Sequence, residues 1–306
     1  MKQQLIRILL STSILAGSSY AQAQTHRPVQ LSLVPGLSSN GPQNAQIINN
    51  CSINVIGGCS GGLNGLELGG VFNIDKQKVK GCQAAGVFNL VRDSVTGTQF
   101  AGVFNKASAV EGAQIAGVIN YTRHLKKGIQ LGVINIADTS EGISIGLINI
   151  VRHGGFHQIS LYADEWSPLN LAFRSGNRKL YTIALAGVNP YNDHTCYYFG
   201  FGLGHQFPLT QQLALAAEAE SINVSPVDLS HFGNGPSLYR LNTDLHWKTG
   251  KLISFSAGPS LAIYTPRRDY FLHSHLYNPL PNGYSTFTFS GRTIGWIGWH
   301  AAINFF

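Results

Sequence analysis

Few residues in this 306-residue chain have the type and spacing to do chemistry. Charged side chains are 11% of the total, with Lys and Arg numbering 21 against 14 Asp and Glu, a formal charge of +7. The densest group is Glu218, Glu220, Arg240, Asp244 and His246. If both parent segments are strands, the spacing of two and four places the members on one face of each. In a wet cleft such a set would do acid–base work or hold a ligand. Inside a β-barrel too narrow for an open channel it reads instead as a paired polar filling, with Arg240 expected to pair with Glu218, Glu220 or Asp244. His273 and His275 lie in the longest loop and suggest a metal or hydrolase site, but no third ligand or placed acid accompanies them, and the bland reading is a polar loop. No phosphate loop, Cys-x-x-Cys site or Gly-x-Ser-x-Gly elbow occurs. No catalytic residue, metal ligand or cofactor is therefore assigned.

The segments carrying that group belong to a run of clean period-two alternation. Tyr239, Leu241, Thr243, Leu245 and Trp247 oppose Leu238, Arg240, Asn242, Asp244 and His246; Phe199, Phe201 and Leu203 oppose Gly200, Gly202 and Gly204. Ile297, Trp299, Ala301, Ile303 and Phe305 likewise oppose Gly298, His300, Ala302 and Asn304. Eight strands are predicted near 156–164, 168–175, 179–189, 195–207, 211–224, 237–248, 251–265 and 292–306. The second, fourth and sixth connections are short and the others generally longer. Apolar-out alternation, an even strand count and this loop asymmetry describe an outer-membrane β-barrel with its short turns on the periplasmic side. All four Trp and ten of the twelve Tyr lie beyond Phe156, as aromatic girdles require.

Upstream the pattern changes. Asn73, Asn89, Asn105, Asn120, Asn135 and Asn149 recur at steps of 14 to 16 residues, each ending a Gly-Val-Phe-Asn-like segment, with Gly and usually Gln before it (Gly81 and Gln83, Gly97 and Gln99, Gly112 and Gln114, Gly128 and Gln130). A fixed period marks a repeat architecture. A β-solenoid stacks identical positions, so its Asn side chains form a hydrogen-bonded ladder. A one-residue change of repeat length is harmless at a solenoid corner but flips a flat strand. The rival is a continuous barrel of about fourteen strands, since only Arg152 to Gly155 separate the last repeat from the first alternating strand. The fold class expected is all-β, a repeat solenoid followed by an antiparallel transmembrane barrel.

Residues 1–23 have a basic start, a short apolar core and Ala21-Gln22-Ala23, as a cleaved export signal does, and no Cys near Ala23 invites lipidation. Residues 24–50 read as a leader or cap, 51–153 as repeats and 154–306 as barrel. Four cysteines, Cys51, Cys59, Cys82 and Cys196, allow three pairings or none.

From Gly65 onward the chain resembles outer-membrane proteins of the Bacteroidetes type that carry Gly-Val-Gln-x-x-Gly-Val-x-Asn repeats, then segments like Asn170-Leu171-Ala172-Phe173-Arg174-Ser175-Gly176 and a terminal barrel strand; the repeats are also similar to those of spirochaete surface lipoproteins. Phe305-Phe306 resembles the C-terminal aromatic signal of such barrels, although the strand's apolar phase runs through Phe305. The resemblance implies location in the outer membrane of a Gram-negative cell and no catalytic residues. The function expected is a non-enzymatic structural or binding role in the envelope, with the repeats periplasmic. A surface adhesin and a lipid- or lipopolysaccharide-modifying enzyme are the alternatives. Expected partners are outer-membrane lipid, the barrel assembly machinery and an envelope polymer or surface ligand, but not nucleic acid.

Overall fold

The computed structural model describes residues 25–190, 196–226, 236–250, 252–266, 283–290 and 293–306. The export segment at 1–23 and the histidines at 273 and 275 lie outside them. Two β-structures follow one another along the chain.

The first is a solenoid. It opens with β1 (Thr25–Val34), β2 (Leu37–Ser38), a 3-10 turn (Asn44–Gln46) and β3 (Ile47–Asn54). Then β4 (Gly57–Ser60), β5 (Gly62–Gly69), β6 (Phe72–Asp75), β7 (Val79–Ala85), β8 (Phe88–Val91) and β9 (Ser94–Ala101) alternate between two faces. The long strands β10 (Phe104–Ala116) and β11 (Ile119–Leu131) bend around one corner and serve both faces, before β12 (Ile134–Ser140), β13 (Ile143–Ile145) and β14 (Ile148–His153) close the stack. Pairing between coils is parallel, and like residues align: Gly81 with Gly97, Gln83 with Gln99, Asn105 with Asn120. One departure from expectation lies at the start. Strand β1 already stacks parallel on β3, with Val29 beside Cys51 and Leu31 beside Ile53, so the solenoid begins within the predicted leader. Its connection to β3 sets paired residues 22 apart, Thr25 with Ile47, which hides the first coil from a search at a period of 14 to 16.

A glycine column sets the coil shape at one corner. At Gly97 φ is +136°, and a Cβ there would sit 2.0 Å from the Gly81 carbonyl oxygen; Gly81, Gly112 and Gly128 repeat this relation with the coil before. Only Gly supplies both the positive φ and the bare edge.

The second structure is an eight-stranded antiparallel barrel: β15 (Phe156–Asp164), β16 (Leu169–Asn177), β17 (Leu180–Asn189), β18 (Cys196–Pro208), β19 (Leu213–Pro226), β20 (Ser237–Lys248), β21 (Ile253–Thr265) and, after the short β22 (Thr286–Ser290), β23 (Thr293–Phe305). Strand β23 closes on β15, from Ile159 beside Phe305 to Asp164 beside His300. Because β15 stops there, β22 pairs with the remaining length of β23, Thr286 opposite Trp296, and covers its edge. The first connection, Glu165 to Pro168, spans four residues, although it lies on the side where longer loops are expected. The fourteen-stranded rival is excluded by this closure and by the parallel pairing upstream.

The two parts meet on the barrel's outer wall. Ser175 and Thr182 pair across β16 and β17 and point away from the lumen, since their neighbours Arg174 and Tyr181 point in. The Asn149 backbone N–H donates to Ser175 Oγ at 3.0 Å, and its Nδ2 donates to Thr182 Oγ1 at 2.6 Å. Nearer the short turn, Asn177 Nδ2 donates to the Gly142 carbonyl at 2.6 Å. The end of the stack is thus capped by the barrel, which hides coil edges that would otherwise template aggregation.

Candidate functional site

The structure places Glu218, Glu220, Arg240, Asp244 and His246 inside the barrel, all 5% exposed or less. Alternation on β19 and β20 puts them there, opposite outward residues such as Leu241 and Leu245, which are about half exposed. Their partners differ from expectation. Glu218 is held by Arg174 through two parallel bonds of 2.7 Å each and accepts a third from the Tyr181 hydroxyl at 2.7 Å. Arg240 reaches Asp164 at 2.5 Å and Glu165 at 3.5 Å. Asp244 pairs with His300 Nδ1 at 2.9 Å, and the His300 ring lies against Tyr162 with centroids 4.7 Å apart. Glu220 sits directly across the β19–β20 ladder from Arg240, yet its Oε2 has no hydrogen-bond partner among the described residues. The His246 ring nitrogens likewise have none.

The correction to the Arg240 pairing has a simple cause. Partners within adjacent strands are easy to propose from sequence, but a narrow lumen brings side chains together across the barrel, and those distances depend on closure. Arg174, Asp164, Glu165 and His300 were the residues missed. His300 and Arg174 stood on the inward phase of their strands and were open to discovery by that signal. Asp164 also stood on the inward phase, at the last position of β15, whereas Glu165 did not, because it lies in the turn beyond the strand. There Asp164 Oδ1 accepts the backbone N–H groups of Trp166 and Ser167 at 2.8 and 2.7 Å, and Glu165 folds inward to accept Trp296 Nε1–H at 2.8 Å and the Trp299 N–H at 3.0 Å. Gly298 leaves the space, as a Cβ there would lie 2.1 Å from the Glu165 carboxyl carbon.

The pairs are linked into a plug. Arg174 donates to Ser160 at 2.7 Å, Ser160 to Asn304 at 2.6 Å, and Asn304 to Ser256 at 3.0 Å. Above them Tyr198, Ile222, Leu238, Tyr264 and Trp296 form an apolar layer. The Arg174–Glu218 and Arg240–Asp164 pairs are matched by charge-assisted bonds within the lumen. The arrangement fills space and fixes register across strands far apart in sequence. Among the described residues no group of three or more His, Cys, Asp or Glu is placed to hold a metal ion.

The repeat residues make a second polar interior. Each Asn donates one N–H to the next Asn oxygen: Asn73 to Asn89 at 2.9 Å, Asn89 to Asn105 at 2.9 Å, Asn105 to Asn120 at 3.1 Å, Asn120 to Asn135 at 2.9 Å, Asn135 to Asn149 at 2.8 Å. Its other N–H goes to a backbone carbonyl of the following coil, such as Phe100 for Asn89 and Ile115 for Asn105. Both donors are used, which explains why Asn and no other residue recurs. A Gln ladder runs beside it in the opposite sense, with Gln130 donating to Gln114, Gln114 to Gln99 and Gln99 to Gln83 at 2.8 to 3.0 Å. At its head Gln83 Nε2 bridges two carboxyls, Glu67 at 2.7 Å and Asp75 at 2.5 Å. Burial, then the neighbouring Glu67, pushes the Asp75 carboxyl well above the usual carboxylate range. Cys51, Cys59 and Cys82 carry free thiols in this solenoid, so no disulfide joins its coils.

No family model, curated protein or solved structure matches the chain.

Proposed function

We propose that the protein is a non-enzymatic component of a Gram-negative outer membrane, in which a plugged barrel anchors a periplasmic solenoid with a structural or binding role in the envelope. The observation that carries this reading is the barrel's outer surface. Large apolar side chains stand exposed around it, among them Leu171, Phe199, Phe201, Leu241, Trp247 and Ile297, while the interior is charged. A soluble barrel would have the opposite sense. The export segment read in residues 1–23 agrees with it.

The lumen argues for an anchor over a pore, because buried ion pairs and an apolar layer cross it. A lipid-modifying role would need an acid–base group reachable from the bilayer, whereas the Asp244 and His300 side chains are fully enclosed. The solenoid meets the barrel at its short-turn end, which in outer-membrane barrels faces the periplasm. That placement favours envelope contact over surface display.

Two measurements test the reading. The mature protein is expected in the outer-membrane fraction and to shift on gels upon boiling; recovery as a soluble periplasmic protein without a heat shift would overturn it. A protease-cleavable tag in the connection at Lys76–Lys78 should resist cleavage on intact cells and be cut once the envelope is opened. Cleavage on intact cells would establish the adhesin topology instead.

A further inference from the structure

We infer that the solenoid is itself seated in lipid: its Gly-Val corner dips into the acyl chains of the periplasmic leaflet while its opposite corner stays in water among the headgroups. The inference rests on the membrane placement proposed above and extends it to a part of the chain with no transmembrane strand.

Three observations carry it. The first is the solenoid's outer surface. One corner presents an unbroken column, Val71, Val87, Val103, Val118, Val133 and Leu147, each 38–50% exposed. Apolar side chains flank it on both faces, including Leu68, Phe100 and Leu131 on one and the stacked rings of Phe72 and Phe88 on the other. A continuous apolar strip of this length is not a feature that a water-bathed solenoid carries without a partner. Five steps between coils at about 4.8 Å make it about 24 Å long.

The second is the segregation of charge. Lys76, Lys78, Arg92, Arg123, Lys126 and Arg152 are all exposed at the other corner or beside it. The interior is segregated in the reverse sense. Val79, Val95, Val110 and Leu125 lie under the charged corner, and the Asn ladder lies toward the apolar one. The amides satisfy the backbone at the Gly-Val corner from within, so the outer surface there needs no water, the condition that a bilayer imposes.

The third is orientation, which selects the occupant. Going up the barrel wall from the short turn, Asn177 touches Gly142, at the charged corner, and Ser175 and Thr182 next touch Asn149. Asn149 lies two residues past Leu147, beside the apolar corner. The coil therefore stands with its charged corner at the periplasmic rim and its apolar corner turned toward the zone where Leu171 and Leu169 face outward, 49% and 57% exposed. The apolar strip of the solenoid is continuous with the lipid-facing wall of the barrel, and the basic excess lies at the height of anionic headgroups. The stack leaves the barrel sideways, along the membrane surface.

The test uses the full chain with Cys51, Cys59, Cys82 and Cys196 replaced by Ala and single cysteines introduced one at a time as Val103→Cys, Val118→Cys, Lys126→Cys and Leu241→Cys. Each carries an environment-sensitive fluorophore, is checked for the heat shift of a folded barrel, and is reconstituted in phosphatidylethanolamine–phosphatidylglycerol vesicles. Spin-labelled acyl chains should quench the probes at 103, 118 and 241 several-fold more than the probe at 126, and aqueous iodide should do the reverse. Probes at 103 and 118 quenched by iodide as strongly as 126, with 241 still quenched from the acyl chains, would overturn this inference and leave the barrel's placement standing. Shielding at 103 and 118 that grows with protein-to-lipid ratio would overturn it in favour of a second copy on that face. Failure of acyl-chain quenching at 241 would remove the membrane placement, and this inference with it.

Discussion

Solenoid and barrel both bury many polar side chains, but they satisfy them differently. In the solenoid, neutral amides are shared along two ladders, and each link joins residues 14 to 16 apart. In the barrel, charges are matched in pairs that span 44 residues for Arg174–Glu218 and 76 for Arg240–Asp164. A ladder is modular: one broken rung leaves the others intact. A pair is not, since removal of one partner leaves the other charge buried and unpaired. The contrast teaches that a repeat spreads the cost of a polar interior over many small, local terms, whereas a closed barrel concentrates it in a few long-range ones.

The largest expected effect follows from the barrel's side of this comparison. Replacing Arg174 by Leu leaves Glu218 buried without its cation and should cost about 3–5 kcal/mol, read as loss of the heat-resistant folded band. Arg240→Leu should behave alike through Asp164. If either variant retained full heat resistance, the pairs would not be what holds the barrel closed.

Next comes a steric break in the solenoid. Gly97→Ala places a methyl 2.0 Å from the Gly81 carbonyl oxygen at a positive φ, and should cost about 3 kcal/mol, at the upper end for overpacking. Gly154→Ala, also at positive φ but with no atom within 4 Å of the added Cβ, should cost about 1 kcal/mol from backbone strain alone. Hydrogen exchange across β7 to β11 would separate them, and equal protection in both variants would show that the Gly column is not under close contact.

Asn105→Ala tests modularity itself. It strands the Asn89 donor and the Asn120 oxygen, at about 1–3 kcal/mol for each group left unsatisfied. Exchange should quicken in the coils around residue 105 while the barrel strands keep their protection. Collapse of the barrel in the same variant would mean that the two parts fold as one unit.

The Asp75 carboxyl sharpens the comparison through pH. Its folded-state pKa is raised above the unfolded value, so the folded protein holds the proton in the window between them, and stability falls as pH rises through it. The wild-type solenoid should be more resistant to proteolysis in mild acid than at neutral pH, and Asp75→Asn should abolish the difference while keeping an oxygen for Gln83. An unchanged pH profile would locate the titration elsewhere. The smallest effect is expected for Ser254→Ala, whose buried hydroxyl has no hydrogen-bond partner among the described residues. A neutral result within about 0.5 kcal/mol, set against Arg240→Leu, would show that the lumen's energy resides in its ion pairs.

Much of this was legible in the chain. The Asn, Gln and Gly periods identified a stacked solenoid because equivalent positions in consecutive coils touch, which turns sequence distance directly into contact. Period two on β18, β20 and β23 located the barrel strands within one or two residues at most ends, and placed Arg240, Asp244 and His246 on the inward face. Illegible were the first coil at β1, whose long connection breaks the period, and β22, which exists only because β15 ends early at Asp164.

The sequence by itself therefore determined the strands, the repeats and the facing of their side chains, since all rest on local periods. Closure at eight strands with a separate solenoid, against one barrel of about fourteen, was decided by the structure. Only the tertiary structure decided who pairs with whom inside the barrel, because Arg174 meets Glu218, and Arg240 meets Asp164, across a lumen whose width and register arise when β23 closes on β15. It alone also decided how the solenoid stands. Asn149 against Ser175 and Thr182, with Asn177 against Gly142, fixes which corner turns up the wall. No period carries that information, for it depends on one interface between two surfaces that repeat on different rules.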